Sequence, residues 1–193
     1  MRRPTKLGAL LAGLAALTSA SCHREVDMPS VREELKQGMQ APDFSAATSE
    51  GTELALRSFR GKRVVLYFYP KDDTPGCTRQ ACSFRDAQAD LREQGVVVLG
   101  VSRDSQRSHQ SFEQKLSLNF PLLSDPQGLI VADYQSWKQP PAAGTPPQGI
   151  NRSTFLIDEQ GVIRRIWRGV KVEGHIDEVL AAVKELCQAT VRR

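Results

Sequence analysis

Two stretches of this chain are apolar at successive positions rather than alternate ones: RVVLYFY over residues 63–69 and VVVLGV over 96–101. A strand buried on both faces reads this way, because side chains pointing up and side chains pointing down both meet a core. Between the two, Ala81, Phe84 and Leu91 recur at helical spacing, which predicts a helix from about Cys77 to Glu93. Strand, helix and strand at this spacing make a βαβ unit, in which the two strands run parallel. TELALRSF, after the turn SEGT, predicts a short strand near the start. SQRSHQSFEQKL predicts another helix and FPLLSD a short strand end. RSTFLID and VIRRIWR flank EQG, the pattern of a hairpin. The last helix is predicted from about His175 to Cys187, with Ile176, Val179, Leu180, Val183, Leu186 and Cys187 on one stripe. QSWKQPPAAGTPPQG, rich in proline and glycine, predicts a surface loop. Together these elements describe an α/β protein of thioredoxin-like order: a central mixed sheet with helices on both faces.

The N-terminal residues belong to a different pattern. MRRPTK is a basic start, LGALLAGLAAL is too short an apolar run for a permanent membrane span, and TSAS leads to Cys22. Residues 1–21 therefore read as a signal peptide, which predicts export to the cell envelope. The layout resembles a bacterial lipoprotein signal, in which the cysteine after small residues receives lipid and becomes the mature N-terminus. That resemblance implies Cys22 as the lipid attachment, a membrane anchor and a protein facing the periplasm. The alternative is cleavage near Ala20, leaving Cys22 a free thiol. Residues 22–40 are polar and read as a tether, with one helical turn in SVREELKQ; the folded domain is predicted over 41–190. Arg2, Arg3 and Lys6 are the only charged residues of the first 21, so the net charge of +4 leaves 23 basic against 22 acidic residues beyond them. A body so close to neutral gives no reason to expect nucleic-acid binding.

Candidate chemistry lies between Tyr69 and Phe84, in YPKDDTPGCTRQACSF. Cys77 falls where a buried strand has ended, the chain has turned through Pro75 and Gly76, and a helix begins. Unpaired N–H groups and the helix dipole make that end positive, which favours a thiolate and hence a nucleophile. Cys82 follows five positions later. In a helix their Cα atoms would lie about 8.7 Å apart, whereas a disulfide needs roughly 4.4–6.8 Å. A bond between them requires the helix to open. The competing reading is a structural disulfide, the common use of paired cysteines in exported proteins.

YFYPKDDTPGCTRQACSFRD resembles the active-site segment of peroxiredoxins of the bacterioferritin comigratory protein type (PrxQ, within AhpC/TSA). Those enzymes carry proline, three residues, threonine or serine, two residues and the peroxide-attacking cysteine, which correspond here to Pro70, Thr74 and Cys77. The resemblance continues through GVSRDSQRSHQSFEQKLSLNFPLLSD and NRSTFLID and covers about residues 38 to 187. It implies Cys82 as the resolving cysteine, a Cys77–Cys82 disulfide in the cycle, and Arg152 as the catalytic arginine. It implies a thiol peroxidase acting on hydrogen peroxide and organic hydroperoxides in antioxidant defence. It further implies a thioredoxin-like dithiol as reductant; no cofactor or metal is expected, and the protein is expected to be a monomer. Arg152, the Thr74 hydroxyl and backbone N–H groups near Gly76 and Cys77 would stabilise charge on the leaving oxygen, and Pro70 would shield the pocket. The loop KQPPAAGTPPQG departs from the short basic loop usual in the family, so substrate preference and contacts are not carried over from it.

The remaining candidates read as structural. His23 lies in the tether, His109 in a polar helix where it is expected to be solvated, and His175 at a helix start. Cys187 is expected to be buried and inert on its apolar stripe, and Trp137 and Trp167 to be packing residues. Two other functions use similar parts. A thiol–disulfide oxidoreductase would carry C-x-x-C, where this chain has four intervening residues. A copper-handling lipoprotein would use two cysteines with a histidine such as His175, but with the cysteines three residues apart and without the Pro70–Thr74–Cys77 pattern.

Overall fold

The structure, a computed structural model, describes residues 33–138 and 149–191. The predicted signal peptide, Cys22 and the loop residues 139–148 lie outside the described residues. The elements run β1 (Ser45–Thr48), β2 (Glu53–Ala55), a 3-10 turn (Leu56–Phe59), β3 (Arg63–Phe68), α1 (Pro75–Asp86), α2 (Gln88–Glu93), β4 (Val96–Ser102), α3 (Gln106–Leu116), β5 (Leu122–Ser124), α4 (Leu129–Asp133), β6 (Ser153–Ile157), β7 (Ile163–Arg168) and α5 (His175–Val191). Among the described residues the strands form one sheet in the order β2-β1-β5-β4-β3-β6-β7. β3, β4 and β5 are mutually parallel, while β1 lies antiparallel on β5, β6 on β3 and β7 on β6. This is the mixed, thioredoxin-like sheet the sequence predicts.

The unbroken apolar run of β3 is explained by two cores. Val64, Leu66 and Phe68 enter one, with Leu99, Val101, Tyr134, Phe155 and the α4 residues Ile130 and Val131. Val65, Tyr67 and Tyr69 enter the other, with Ala81 and Phe84 of α1, Leu91 of α2, Phe112 of α3 and Val179 and Val183 of α5. Both faces of the central strands are therefore covered, as a parallel βαβ sheet requires.

Three expectations are corrected. The helix predicted over 77–93 starts at Pro75 and is divided at Ala87. Proline is tolerated at that first position because its missing N–H would have had no helical partner. Beyond the break, α2 is aimed so that Gln88 and Leu91 are buried. The tether does not extend to residue 40: Leu35 packs against the first core, Gly38 N–H donates to the Ile163 carbonyl, and Gln40 bridges Val162. Backbone bonds carry this attachment, so the polar side chains gave no sign of it. Finally, His109 is fully buried rather than solvated.

Candidate active site

The register of two strands brings the key residues together. Phe68, the last residue of β3, pairs antiparallel with Ser153, the first of β6. The residue before β6, Arg152, therefore stands beside the chain that leaves β3. That chain runs through Tyr69–Thr74, with Asp73 in the left-handed region at φ 56°, and enters α1 with Pro75 in its first turn. Cys77 is buried in the first turn of α1, and Arg152 Nη2 donates to its sulfur at 3.3 Å. The same guanidinium donates through Nη1 to Gln80 Oε1, one turn further along α1. Gln80 is 2% exposed, and its Nε2 has no hydrogen-bond partner. A bridging arginine held by two residues of one helix face is fixed in direction, so its charge falls on the sulfur.

Thr74 is the N-cap of α1, but its side chain does not cap: Oγ1 donates to the Lys71 carbonyl at 3.0 Å. The expected approach of that hydroxyl to the reacting atoms is thus not made in this state. Pro70 is half-buried at the head of the loop. Cys82 is half-buried within α1, and neither it nor Cys77 is disulfide-bonded. Since α1 is a continuous helix from Pro75 to Asp86, the two thiols are held apart as the helical spacing requires.

The floor beneath Cys77 is aromatic. Tyr67 stacks on Phe84 at 4.8 Å and on Tyr69 at 5.4 Å. Burial, followed by the charges of Cys77 and Asp72, pushes the Tyr67 hydroxyl far above its ordinary range, so it stays a protonated phenol. His175 lies behind the site, 4% exposed, with Nε2 2.9 Å from Thr154 Oγ1 and its ring edge-on to Trp167 and Phe84. Burial holds its pKa below the ordinary histidine value; Glu178 opposes this and the Arg152 charge adds to it. A neutral, packed imidazole is a supporting residue.

Of the predicted site residues, the structure joins Cys77 to Arg152 directly and places Pro70, Thr74 and Cys82 on the loop and helix around them. Cys187 is half-buried rather than fully buried, with its sulfur 3.9 Å from Gln94 Oε1. Trp137 and Trp167 are partly buried against the two cores, as packing residues. Sequence reasoning missed Gln80, Asp72 and His109. Gln80 could have been found, since residues three apart on a helix share a face and Cys77 was already placed there.

The AhpC/TSA family profile matches residues 37–166. The putative peroxiredoxin bcp of Coxiella burnetii is 51% identical over 146 residues, covering 76% of this chain and 97% of that protein. Peroxiredoxin Bcp of Bacillus subtilis is 42% identical over 151 residues, covering 78% and 96%. Among solved structures, the bacterioferritin comigratory protein of Xanthomonas campestris, studied for its alkyl peroxide reduction activity, superposes with a TM-score of 0.71. It is 40% identical, over 75% of this chain and 92% of that one. A cysteine-to-serine mutant of Xylella fastidiosa PrxQ gives a TM-score of 0.73 at 35% identity, over 79% and 98%.

Proposed function

The chain belongs to the AhpC/TSA family, and from that membership and the geometry around Cys77 we propose that it is a thiol peroxidase for hydrogen peroxide and organic hydroperoxides, with Cys77 as nucleophile. The observation that carries the assignment is the Arg152 Nη2 donor 3.3 Å from the Cys77 sulfur at the start of α1. The Cys77 thiolate attacks one peroxide oxygen and the O–O bond breaks. The other oxygen leaves with the bonding pair and takes a proton, as water or an alcohol, and the Cys77 sulfur keeps the first as a sulfenic acid. Charge growing on the leaving oxygen meets the Arg152 guanidinium and the N–H groups of the first turn, none of which donates to the Thr74 side chain.

The Cys82 thiolate then attacks the Cys77 sulfur. The S–O bond breaks, the oxygen leaves as hydroxide and takes a proton to become water, and a disulfide forms. An external thioredoxin-like dithiol restores both thiols by exchange. The N-terminal layout supports an exported form carrying lipid on Cys22 and facing the periplasm, and a monomer suffices for this chemistry because both cysteines lie in one chain. The reductant would then be a dithiol held outside the cytosol.

The test is direct. Cys77→Ser should abolish peroxide consumption, and Cys82→Ser should complete one oxidation and stop without an intramolecular disulfide. Near-normal turnover in Cys77→Ser would overturn the assignment. For the location, a Cys82→Ser trap in intact cells that captures only cytosolic proteins would count against export.

A further inference from the structure

The loop before Cys77 is held by a buried carboxylate–imidazole contact that the chemistry above does not use. Asp72, 4% exposed, accepts from the Tyr69 hydroxyl at 2.8 Å through Oδ1. Its Oδ2 accepts from Ser108 Oγ at 2.7 Å and faces His109 Nδ1 at 2.9 Å. Its backbone N–H donates to Asp104 Oδ2 at 2.9 Å. On the other side of the imidazole, His109 Nε2 faces the Leu123 carbonyl at 3.3 Å. Nδ1 lies 3.3 Å from the Tyr69 hydroxyl as well, and the hydrogen bond to Asp72 places a proton on Nδ1. The result is a carboxylate–imidazole contact buried between the loop and α3. One residue on, Asp73 pairs with Lys115 Nζ at 2.7 Å. Ser108 and Lys115 are seven residues apart, two turns of α3, so both ties come from one face of that helix.

These ties end before α1 begins. Downstream of Cys77, the outer face of α1 carries the exposed ion pair Arg79–Glu173 at 3.3 Å, and near its end Arg85 Nη1 donates to the Leu116 carbonyl at 2.7 Å. We propose that Asp72 and His109 are a positioning pair that anchors the loop over residues 70–74 to α3, so that the backbone beneath Cys77 stays fixed while α1 opens to form the disulfide and closes again on reduction. This rests on the peroxidase reading for its catalytic consequence, though not for the anchoring itself. A buried carboxylate that loses one of its hydrogen-bond donors is left unsatisfied, and the loop that carries it loosens.

Two substitutions at one position separate anchoring from mere space-filling. In His109→Asn the amide nitrogen takes the place of Nδ1 and keeps the bond to Asp72. In His109→Gln the amide nitrogen takes the place of Nε2 and keeps the bond to Leu123. The smaller asparagine leaves the larger void, so a role in packing alone makes it the worse variant. The anchor predicts the reverse. In His109→Gln, amide exchange over 71–76 should rise, Cys77 alkylation by iodoacetamide should slow, and single-turnover oxidation of Cys77 should fall about tenfold to a hundredfold, the range for a reacting group misplaced by about 1 Å. Disulfide formation after oxidation should be unaffected. His109→Asn should stay near wild type in all of these. The opposite order, or two folded variants that both behave as wild type, overturns the proposal. Should neither fold, Tyr69→Phe combined with Ser108→Ala removes two bonds to Asp72 with little change of volume. Unchanged exchange and oxidation there also overturn it. If wild-type Cys77 proves inert to peroxide, the peroxidase reading falls, and exchange over 71–76 still decides the anchor.

Discussion

If α1 must open before Cys82 can reach Cys77, weakening α1 at a site remote from the chemistry should accelerate the disulfide step. Arg79→Gly is such a change. Arg79 is two residues beyond Cys77 and so on the far side of the helix, its side chain is 60% exposed, and it pairs with Glu173 at 3.3 Å. Glycine in place of arginine lowers helix stability by about 0.8 kcal/mol. Loss of the exposed ion pair removes about 0.2–1 kcal/mol more. Both terms act on the closed helix and hardly on the open one, whereas the withdrawal of Gln80 from Arg152 and of Ala81 from the core is common to both proteins and cancels. The closed state thus loses roughly 1–2 kcal/mol, and a pre-equilibrium opening becomes about 5–30-fold more populated. The assay is rapid mixing of reduced protein with excess peroxide, then acid quench, alkylation and mass spectrometry to separate sulfenic acid from disulfide. Disulfide should form about 5–30-fold faster, with the preceding oxidation unchanged. In wild type, amide exchange over 77–84 should be faster in the disulfide form while β3 and β4 are unaffected. An unchanged disulfide rate in Arg79→Gly, with exchange over 77–84 equally slow in both redox states, would refute the argument.

Three further outcomes are expected. Arg152→Met removes a cation 3.3 Å from the reacting sulfur, an interaction of about 1 kcal/mol in water and about 5 at an effective dielectric near 20. Single-turnover oxidation of Cys77 should therefore fall about a hundredfold to a thousandfold, as for one lost oxyanion donor. A fall of less than tenfold would remove Arg152 from the mechanism. At Gly100 an added Cβ would stand 2.6 Å from Leu122 Cδ2 and 2.7 Å from the Tyr67 hydroxyl oxygen, so Gly100→Ala should destabilise the fold by about 1–3 kcal/mol in urea unfolding. For His175, the folded pKa lies below the unfolded value of about 6.5, so below that pH the unfolded chain binds more protons and stability declines as pH falls towards the folded value. His175→Gln, which keeps a donor towards Thr154, should show a smaller loss over the same window, and an identical loss would remove His175 as the cause.

The central fold was legible because β3 and β4 are buried on both faces, and a covered sheet accounts for six apolar residues in succession in each. The short elements were not. In β1, Ser45 to Thr48, small residues alternate between buried and exposed without a hydrophobic contrast, and the strand exists through its pairing with β2 and β5. Five-residue α4 is too short to display a helical period. At the site, Cys77 was visible from its place between strand and helix and from the Pro70–Thr74–Cys77 spacing. That Arg152 approaches the sulfur is fixed by the Phe68–Ser153 register, a long-range pairing. His109 misled for the same reason. Its helix reads SQRSHQSFEQKL, polar on nearly every side, and the carboxylate that draws it inward lies 37 residues away.

With Cys77 as nucleophile and Cys82 as its resolving partner, the placement of both thiols on one helix would make the reactive state and the helical state the same state. A twelve-residue helix opening on proline and glycine is not stable alone, so α1 stands on what it touches: Ala81 and Phe84 in the core, and Gln80 against Arg152. Gln80 and Cys77 share the Arg152 guanidinium, so opening the helix takes both of its partners together. A protein oxidised to a Cys77–Cys82 disulfide would then keep no organised nucleophile and no braced arginine. Reduction frees the two thiols, but the guanidinium regains its direction only when the first turn of α1 is rebuilt with Gln80 in place. A substitution such as Gln80→Leu would separate these events. The helix could close over an apolar side chain, and Arg152, lacking its second acceptor, would no longer be fixed on the sulfur. Recovery of helical exchange protection without recovery of peroxide reactivity is the outcome this coupling requires.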